Sequence, residues 1–137
     1  MFSNQKKVVD WEKIYYNYGN DDIPFLIEIF IDLQNEIEME IKELKKEINF
    51  VNYKKIQNIS HKIKGTLSNF YCEETCDIMC EINDLSKEGI SYQSIQKYEG
   101  VKYSNEKIHQ IICLFFDFCE KFEYVKKEIE FLSTSKK

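Results

Sequence analysis

One histidine in this chain stands in a setting that suits phosphoryl chemistry. His61 is followed three residues later by Lys64 and four residues later by Gly65, within a segment of strong helical pattern. In a helix these positions share one face, because residues three and four apart lie one above the other. An imidazole nitrogen can accept a phosphoryl group, an ammonium group can offset its charge, and a glycine leaves space beside the ring. The spacing therefore indicates phosphoryl transfer.

The apolar periodicity around His61 predicts that its ring points away from the core. At about 100° per residue, Ile59 and Ile63 each lie about 160° from His61 around the helix axis. Glycine inside a helix costs roughly 1 kcal/mol relative to alanine, and the close approach of another protein is one reason to keep Gly65. The alternative is an ordinary surface histidine on a lysine-rich helix.

Length and composition favour one folded domain that covers residues 1–137. The 137 residues are 43% hydrophobic and 15% aromatic, which is typical of a chain with a real core. A single proline, Pro24, and only four glycines provide few of the turn residues that a many-stranded fold needs. The composition thus favours an all-α protein.

Apolar residues at spacings of three and four predict an antiparallel four-helix bundle with a short additional N-terminal helix. Asp10 is a suitable cap for the first helix, and Gly19 and Gly89 are expected to end the first and fourth helices. The predicted helices cover residues 9–18, about 20–48, 53–70, 73–87 and 104–132, with a turn at 49–52 and an irregular region at 89–105 that holds a short helix at 91–98.

The charge distribution argues against nucleic acid and points to an acidic partner. A formal net charge of −5 provides no basic excess to displace counterions. Residues 48–72, however, contain no Asp or Glu and four lysines, which are Lys54, Lys55, Lys62 and Lys64. No apolar run approaches the roughly 18 residues needed to cross a bilayer, and no signal peptide is evident. We therefore expect a cytoplasmic protein without a membrane partner, and a nuclear location stays open.

The five cysteines are expected to be reduced thiols that pack as small apolar residues. Cys72, Cys76 and Cys80 recur every four residues, and His109 with Cys113 forms another pair of this spacing. None of them makes the C-x2-C pattern of structural zinc sites. His109 is expected to be a polar residue on a helix side. A thiol-based metal or redox protein remains the alternative from another functional class.

Two segments resemble the histidine-containing phosphotransfer (HPt) family. Residues 61–70, HKIKGTLSNF, are similar to its signature, which is roughly H-x-L-K-G-S followed by two small residues and N-L. Residues 80–85, CEINDL, followed by Glu88 and Gly89, resemble the family's next helix. The remainder of the chain matches only in helix pattern and length.

The resemblance implies a stand-alone helical bundle that carries a phosphoryl group between receiver-domain aspartates. It assigns His61 as the phosphoacceptor, Lys64 as a charge-offsetting group, Gly65 as the opening for the receiver and Asn83 as a polar support for the histidine. The implied partners are the receiver domains of a hybrid histidine kinase and of a response regulator. The protein itself would have no kinase activity and no cofactor, and any Mg²⁺ would belong to the receiver.

Receiver docking beyond the histidine is expected to use apolar residues outside the core stripe. Trp11, Ile14, Ile27 and Ile31 are the residues predicted for this surface. The main alternative to a carrier is an interaction module that keeps the bundle and has lost phosphotransfer.

Overall fold

The computed structural model describes residues 9–18, 23–70, 72–95 and 98–135, and every regular element in these ranges is helical. This confirms the all-α prediction. The elements are α1 (Trp11–Tyr18), α2 (Ile23–Asn49), α3 (Tyr53–Leu67), a 3-10 turn (Ser68–Phe70) that continues α3, α4 (Glu73–Gln93) and α5 (Tyr98–Ser135). None of these described helices combines the length and the apolar character that a membrane span requires.

The four long helices form a closed bundle in which each packs against the next. Helix α5 also packs back on α2, so α3 and α5 occupy opposite corners. Helix α1 lies over one end of the bundle against the 3-10 turn. The Trp11 ring meets Phe30 edge-on with centroids 5.5 Å apart, and Phe30 in turn contacts Phe70 at 5.0 Å. The predicted position of the short N-terminal helix over one end is therefore confirmed.

The core is built from one apolar stripe on each long helix. On α5 the predicted stripe is buried throughout, and it consists of Ile108, Ile111, Phe115, Phe118, Phe122, Val125, Ile129 and Leu132. On α3 the residues Ile56, Ile63 and Leu67 are fully buried, and Ile59 is partly buried. Burying each such side chain contributes about 1.5–3 kcal/mol. These buried stripes therefore determine which face of each helix stays exposed and is available for function.

Local capping explains two of the predicted boundaries. The backbone N–H of Lys13 donates to Asp10 Oδ1 at 3.1 Å, which confirms the cap of α1. The predicted turn between α2 and α3 is also present, and Val51 adopts a positive φ of 53° there. Asn52 then caps α3 by accepting from the backbone N–H of Lys55 at 3.3 Å. The stop predicted at Gly19 lies outside the described residues.

The prediction that Gly89 ends the fourth helix is wrong, because α4 continues to Gln93. Gly89 is buried, and a Cβ atom at this position would lie 2.5 Å from the ring of Tyr53. The missing side chain thus lets α4 approach the first residue of α3. The Tyr53 hydroxyl reaches across the end of the bundle and donates to the backbone carbonyl of Ser104. Close packing, not helix termination, explains this glycine.

The region between α4 and α5 is more regular than predicted. Residues 91–93 form the last turn of α4, and α5 begins at Tyr98, so the separate helix predicted at 91–98 is wrong. The third helix also differs slightly, because its α-helical part ends at Leu67 and the 3-10 turn completes the predicted span to Phe70. Residues 96–97 lie outside the described ranges.

Candidate functional site

His61 lies on the exposed outer face of α3, as the periodicity predicted. Its neighbours Ser60 and Ile63 are fully buried, which fixes the rotation of the helix and turns the imidazole toward solvent. Within the part of the chain that the structure describes, no hydrogen bond or ion pair engages the His61 side chain. The imidazole is therefore accessible to a reactant that approaches from outside.

Gly65 provides open space beside the imidazole. A Cβ atom built on Gly65 would meet no other heavy atom within 4 Å, in contrast to Gly89. Residues four apart in a helix have their Cβ positions about 5–6 Å apart, so this opening lies directly next to His61. Packing within the chain thus gives no reason for a glycine here.

Lys64 is exposed and has no opposing carboxylate among the described residues. It is the cation of this kind that lies nearest to His61. Its side chain is solvent-exposed and makes no ion pair among the described residues. In the first turn of α4, the hydrogen bond with Cys72 lowers the pKa of Cys76, and the positive charge of Lys64 adds to this effect. Lys64 and Gly65 therefore share the outer face of α3 with His61, as expected from their spacing.

The basic patch of residues 48–72 is partly neutralised by carboxylates of α2, a contact between helices that the composition of the patch does not predict. Lys55 Nζ lies 3.8 Å from Glu47 Oε2. Lys62 lies close enough to Glu40 for its charge to oppose the rise in the pKa of Glu40, which burial and the nearby Glu36 cause. Both Glu40 and Glu47 are buried against α3.

A signal for these two carboxylates was present in the sequence. Glu40 and Glu47 fall on the same spacing of three and four as the buried residues Ile37, Leu44 and Ile48. The periodicity of α2 places both on its inner face, although charged residues are mostly exposed in folded proteins. Lys54 and Lys64 are consequently the two lysines of the patch without an opposing carboxylate in the described ranges.

Asn83 lies on α4 and braces the turn of α3 that precedes His61. Its Nδ2 donates to the backbone carbonyl of Gln57 at 2.8 Å and to Ser60 Oγ at 3.2 Å. The Ser60 hydroxyl donates to the same Gln57 carbonyl at 3.0 Å. Asn83 thus contacts the backbone and a neighbouring hydroxyl, not the imidazole, so any support it gives to His61 is indirect.

The cysteines are all free thiols, and only some of them pack in the core. Cys72 is buried, and its hydrogen bond with Cys76 together with burial raises the pKa of Cys72. The same hydrogen bond lowers the pKa of Cys76. Cys80 is half-buried, whereas Cys113 is exposed, so the core prediction is wrong for Cys113. Across the described ranges, no three or more His, Cys, Asp or Glu side chains come together as a metal site.

The second histidine occupies a different surface. His109 is exposed on α5 and lines a shallow groove between α4 and α5, together with Glu81, Asp84 and Cys113. This agrees with its prediction as a polar residue on a helix side. Because it lacks the lysine and glycine that accompany His61, it serves as an internal control.

The predicted apolar docking residues are only partly exposed. Trp11 and Ile14 are buried, so their assignment to a docking surface is wrong. The reason is that α1 uses its apolar face to cover the end of the bundle. Ile27 is half-buried against the core, and Ile31 is exposed on α2.

We predict that replacing Asn83 loosens the turn of α3 before His61. Asn83→Ala should lower the free energy of unfolding by about 1–2 kcal/mol, because two hydrogen bonds between helices are lost. Asn58→Ala, an equivalent change at an exposed site on α3, is the control for helix propensity. Urea unfolding measures both variants, and equal stabilities would show that the bonds of Asn83 do not stabilise the fold.

Comparison with known proteins gives one consistent similarity. The phosphorelay proteins LuxU of Vibrio vulnificus strain YJ016 and of strain CMCP6 are each 27% identical to this chain over 107 residues. The match covers 78% of this chain and 85% of each relative. No protein-family model matches the chain, and no solved structure matches it. The similarity is weak, and it supports an HPt-like protein at the level of the family.

Proposed function

We propose that this chain is a histidine phosphotransfer protein that carries a phosphoryl group between receiver-domain aspartates through His61. The observation that supports this most strongly is the exposed imidazole, which has no hydrogen bond or ion pair among the described residues and lies one helical turn before a glycine with open space around it. The similarity to a phosphorelay protein supports the same class of function.

The proposed reaction requires the neutral imidazole, because a protonated ring has no free lone pair for attack. A ring nitrogen of His61, which we expect to be Nε2, attacks the phosphorus of a receiver's aspartyl phosphate. A P–N bond forms while the P–O bond to the aspartate breaks, and the aspartate leaves as a carboxylate. The reverse step passes the group to a second aspartate. Such transfer depends mainly on positioning and charge neutralisation.

The partners in this proposal are receiver domains. One belongs to a hybrid histidine kinase that supplies the phosphoryl group, and the other belongs to a response regulator that accepts it. The chain acts as a carrier without kinase activity of its own, and the Mg²⁺ required for aspartyl chemistry belongs to the receiver's acidic pocket. A cytoplasmic location is part of the proposal, and no observation supports a nuclear one.

Lys64 is assigned the main electrostatic role within the chain. Phosphorylation adds close to two negative charges on the outer face of α3 near neutral pH. His61 lies mid-helix, so the N-terminus of α3 is too distant to offset them. Lys55 and Lys62 already face Glu47 and Glu40 on α2. Lys64, one turn from His61, is then the nearest cation available to the phosphoryl group.

We expect His61→Gln to remove all phosphoryl uptake while leaving the fold intact, because the side chain is exposed and forms no hydrogen bond or ion pair within the described residues. The measurement is transfer from a phosphorylated receiver domain, with circular dichroism as a check of folding. His109→Gln is the matched control and should take up the phosphoryl group at the wild-type rate.

Two results of this experiment would contradict the proposal. Uptake by the His61→Gln protein would mean that another residue is the acceptor. Failure of the wild-type protein to accept phosphate from any of a panel of phosphorylated receivers would identify it as an interaction module that has lost transfer.

Lys64→Ala should slow transfer several-fold without abolishing it, because an exposed charge pair is worth at most about 1 kcal/mol. Added salt should weaken receiver association, since charges separated by more than about 10 Å are screened at 0.1 M ionic strength. Lys87→Ala on α4 is the control for loss of one surface charge. Transfer rates that are unchanged in Lys64→Ala and insensitive to salt would show that the lysines form only a solvated helix face.

A further inference from the structure

Helix α5 carries a stripe of exposed aromatic residues on the side opposite the core. Phe116, Tyr124 and Phe131 are 65%, 51% and 45% exposed. Their spacings of eight and seven residues keep them on one side of the helix. Glu120 and Lys127 occupy the positions between the rings. We call these five residues the outer stripe.

The two charged residues of the outer stripe make no ion pair with the other described residues. Neither Glu120 nor Lys127 forms an ion pair within the described ranges. The Lys127 ammonium lies 5.6 Å from the centroid of the Tyr124 ring, so it is held along the stripe and not away from it. The neighbouring Glu123 and Lys126 pair with each other at 3.1 Å, and Lys126 also binds Glu38 of α2. Glu120 and Lys127, which lie between the exposed rings, are thus left without an ion pair among the described residues.

We propose that the outer stripe binds the outer stripe of a second copy of this chain in an antiparallel, two-fold symmetric dimer. The stripe is symmetric about the point between Glu123 and Tyr124. A two-fold axis through that point places Phe116 against Phe131 of the second copy, and Glu120 against Lys127. Each contact occurs twice, because the same surface serves both copies. The two Tyr124 rings meet beside the axis.

Charge selects this arrangement over its competitors. A parallel pairing in register sets Glu120 against Glu120 and Lys127 against Lys127. An antiparallel pairing shifted by half a heptad has its two-fold axis at either Glu120 or Lys127. That residue then faces the same residue of the second copy. Like charges placed directly opposite one another are unfavourable. Of these pairings, the one centred between Glu123 and Tyr124 joins aromatic residues with aromatic residues and acid with base.

The proposed dimer leaves the His61 face of each copy open. Helices α3 and α5 occupy opposite corners of the bundle, so the outer stripe and His61 point in opposite directions. Dimerisation and phosphotransfer are therefore compatible, and this inference does not depend on the proposed function. The contact involves one helix from each copy over residues 116–131, a length of about 24 Å. Because so small a contact lies near the lower limit of specific interfaces, we expect a dissociation constant of about 10–100 μM.

The test is sedimentation equilibrium of the full chain at low ionic strength, over a concentration series from about 1 μM to about 1 mM that brackets the expected affinity. The wild-type protein should form dimers. Glu120→Lys and Lys127→Glu should each weaken self-association at least tenfold, because every acid–base contact becomes a contact between like charges. An equimolar mixture of the two variants should dimerise again, since lysine pairs of one variant then face glutamate pairs of the other. Glu43→Lys on α2 is the control and should dimerise as the wild type does.

The recovery on mixing is the decisive result, because neither misfolding nor a change in net charge can produce it. A wild-type protein that remains monomeric up to 1 mM would overturn the proposal. Dimers that persist unchanged in both charge variants would also overturn it, since the interface would then lie elsewhere.

Discussion

Burial of the apolar stripe of α3 between α2 and α4 is the interaction on which the candidate site depends. Ile56, Ile63 and Leu67 are fully buried. Rotating the helix to hide His61 would expose all three at a cost of about 5–9 kcal/mol, which is comparable with the whole stability of a domain of this size. Asn83 and the contact of Tyr53 with Gly89 add constraints from α4. The exposed imidazole is therefore a consequence of core packing.

Gly65 and Gly89 show what could be predicted about a glycine from the sequence alone and what could not. Gly65 and Gly89 both interrupt helical patterns, and both lie within a helix, near its C-terminal end, in the structure. The open space at Gly65 agrees with the prediction from positions three and four residues away on the same helix, and its role in receiver access stays a prediction. Gly89 was taken for a helix end, because its actual partner, Tyr53, is 36 residues distant in the chain. Local spacing was sufficient for one and insufficient for the other.

The same distinction applies to the charges and to Asn83. Periodicity predicted the outer face that His61, Lys64 and Gly65 share, since all three belong to α3. It did not predict that α2 places Glu40 and Glu47 against the basic patch, because that depends on which helices pack together. The contacts of Asn83 with Gln57 and Ser60 are likewise tertiary. The site was thus predictable where it is local to one helix.

The most direct test of the central claim is to locate the phosphoryl group on the wild-type chain. The protein is incubated with a phosphorylated receiver domain, digested under alkaline conditions that preserve phosphoramidates, and mapped by mass spectrometry, with ³¹P NMR to identify the bond. We expect a single N-linked phosphoryl group on the peptide that contains His61. A group on the peptide that contains His109, or an O- or S-linked group elsewhere, would contradict it.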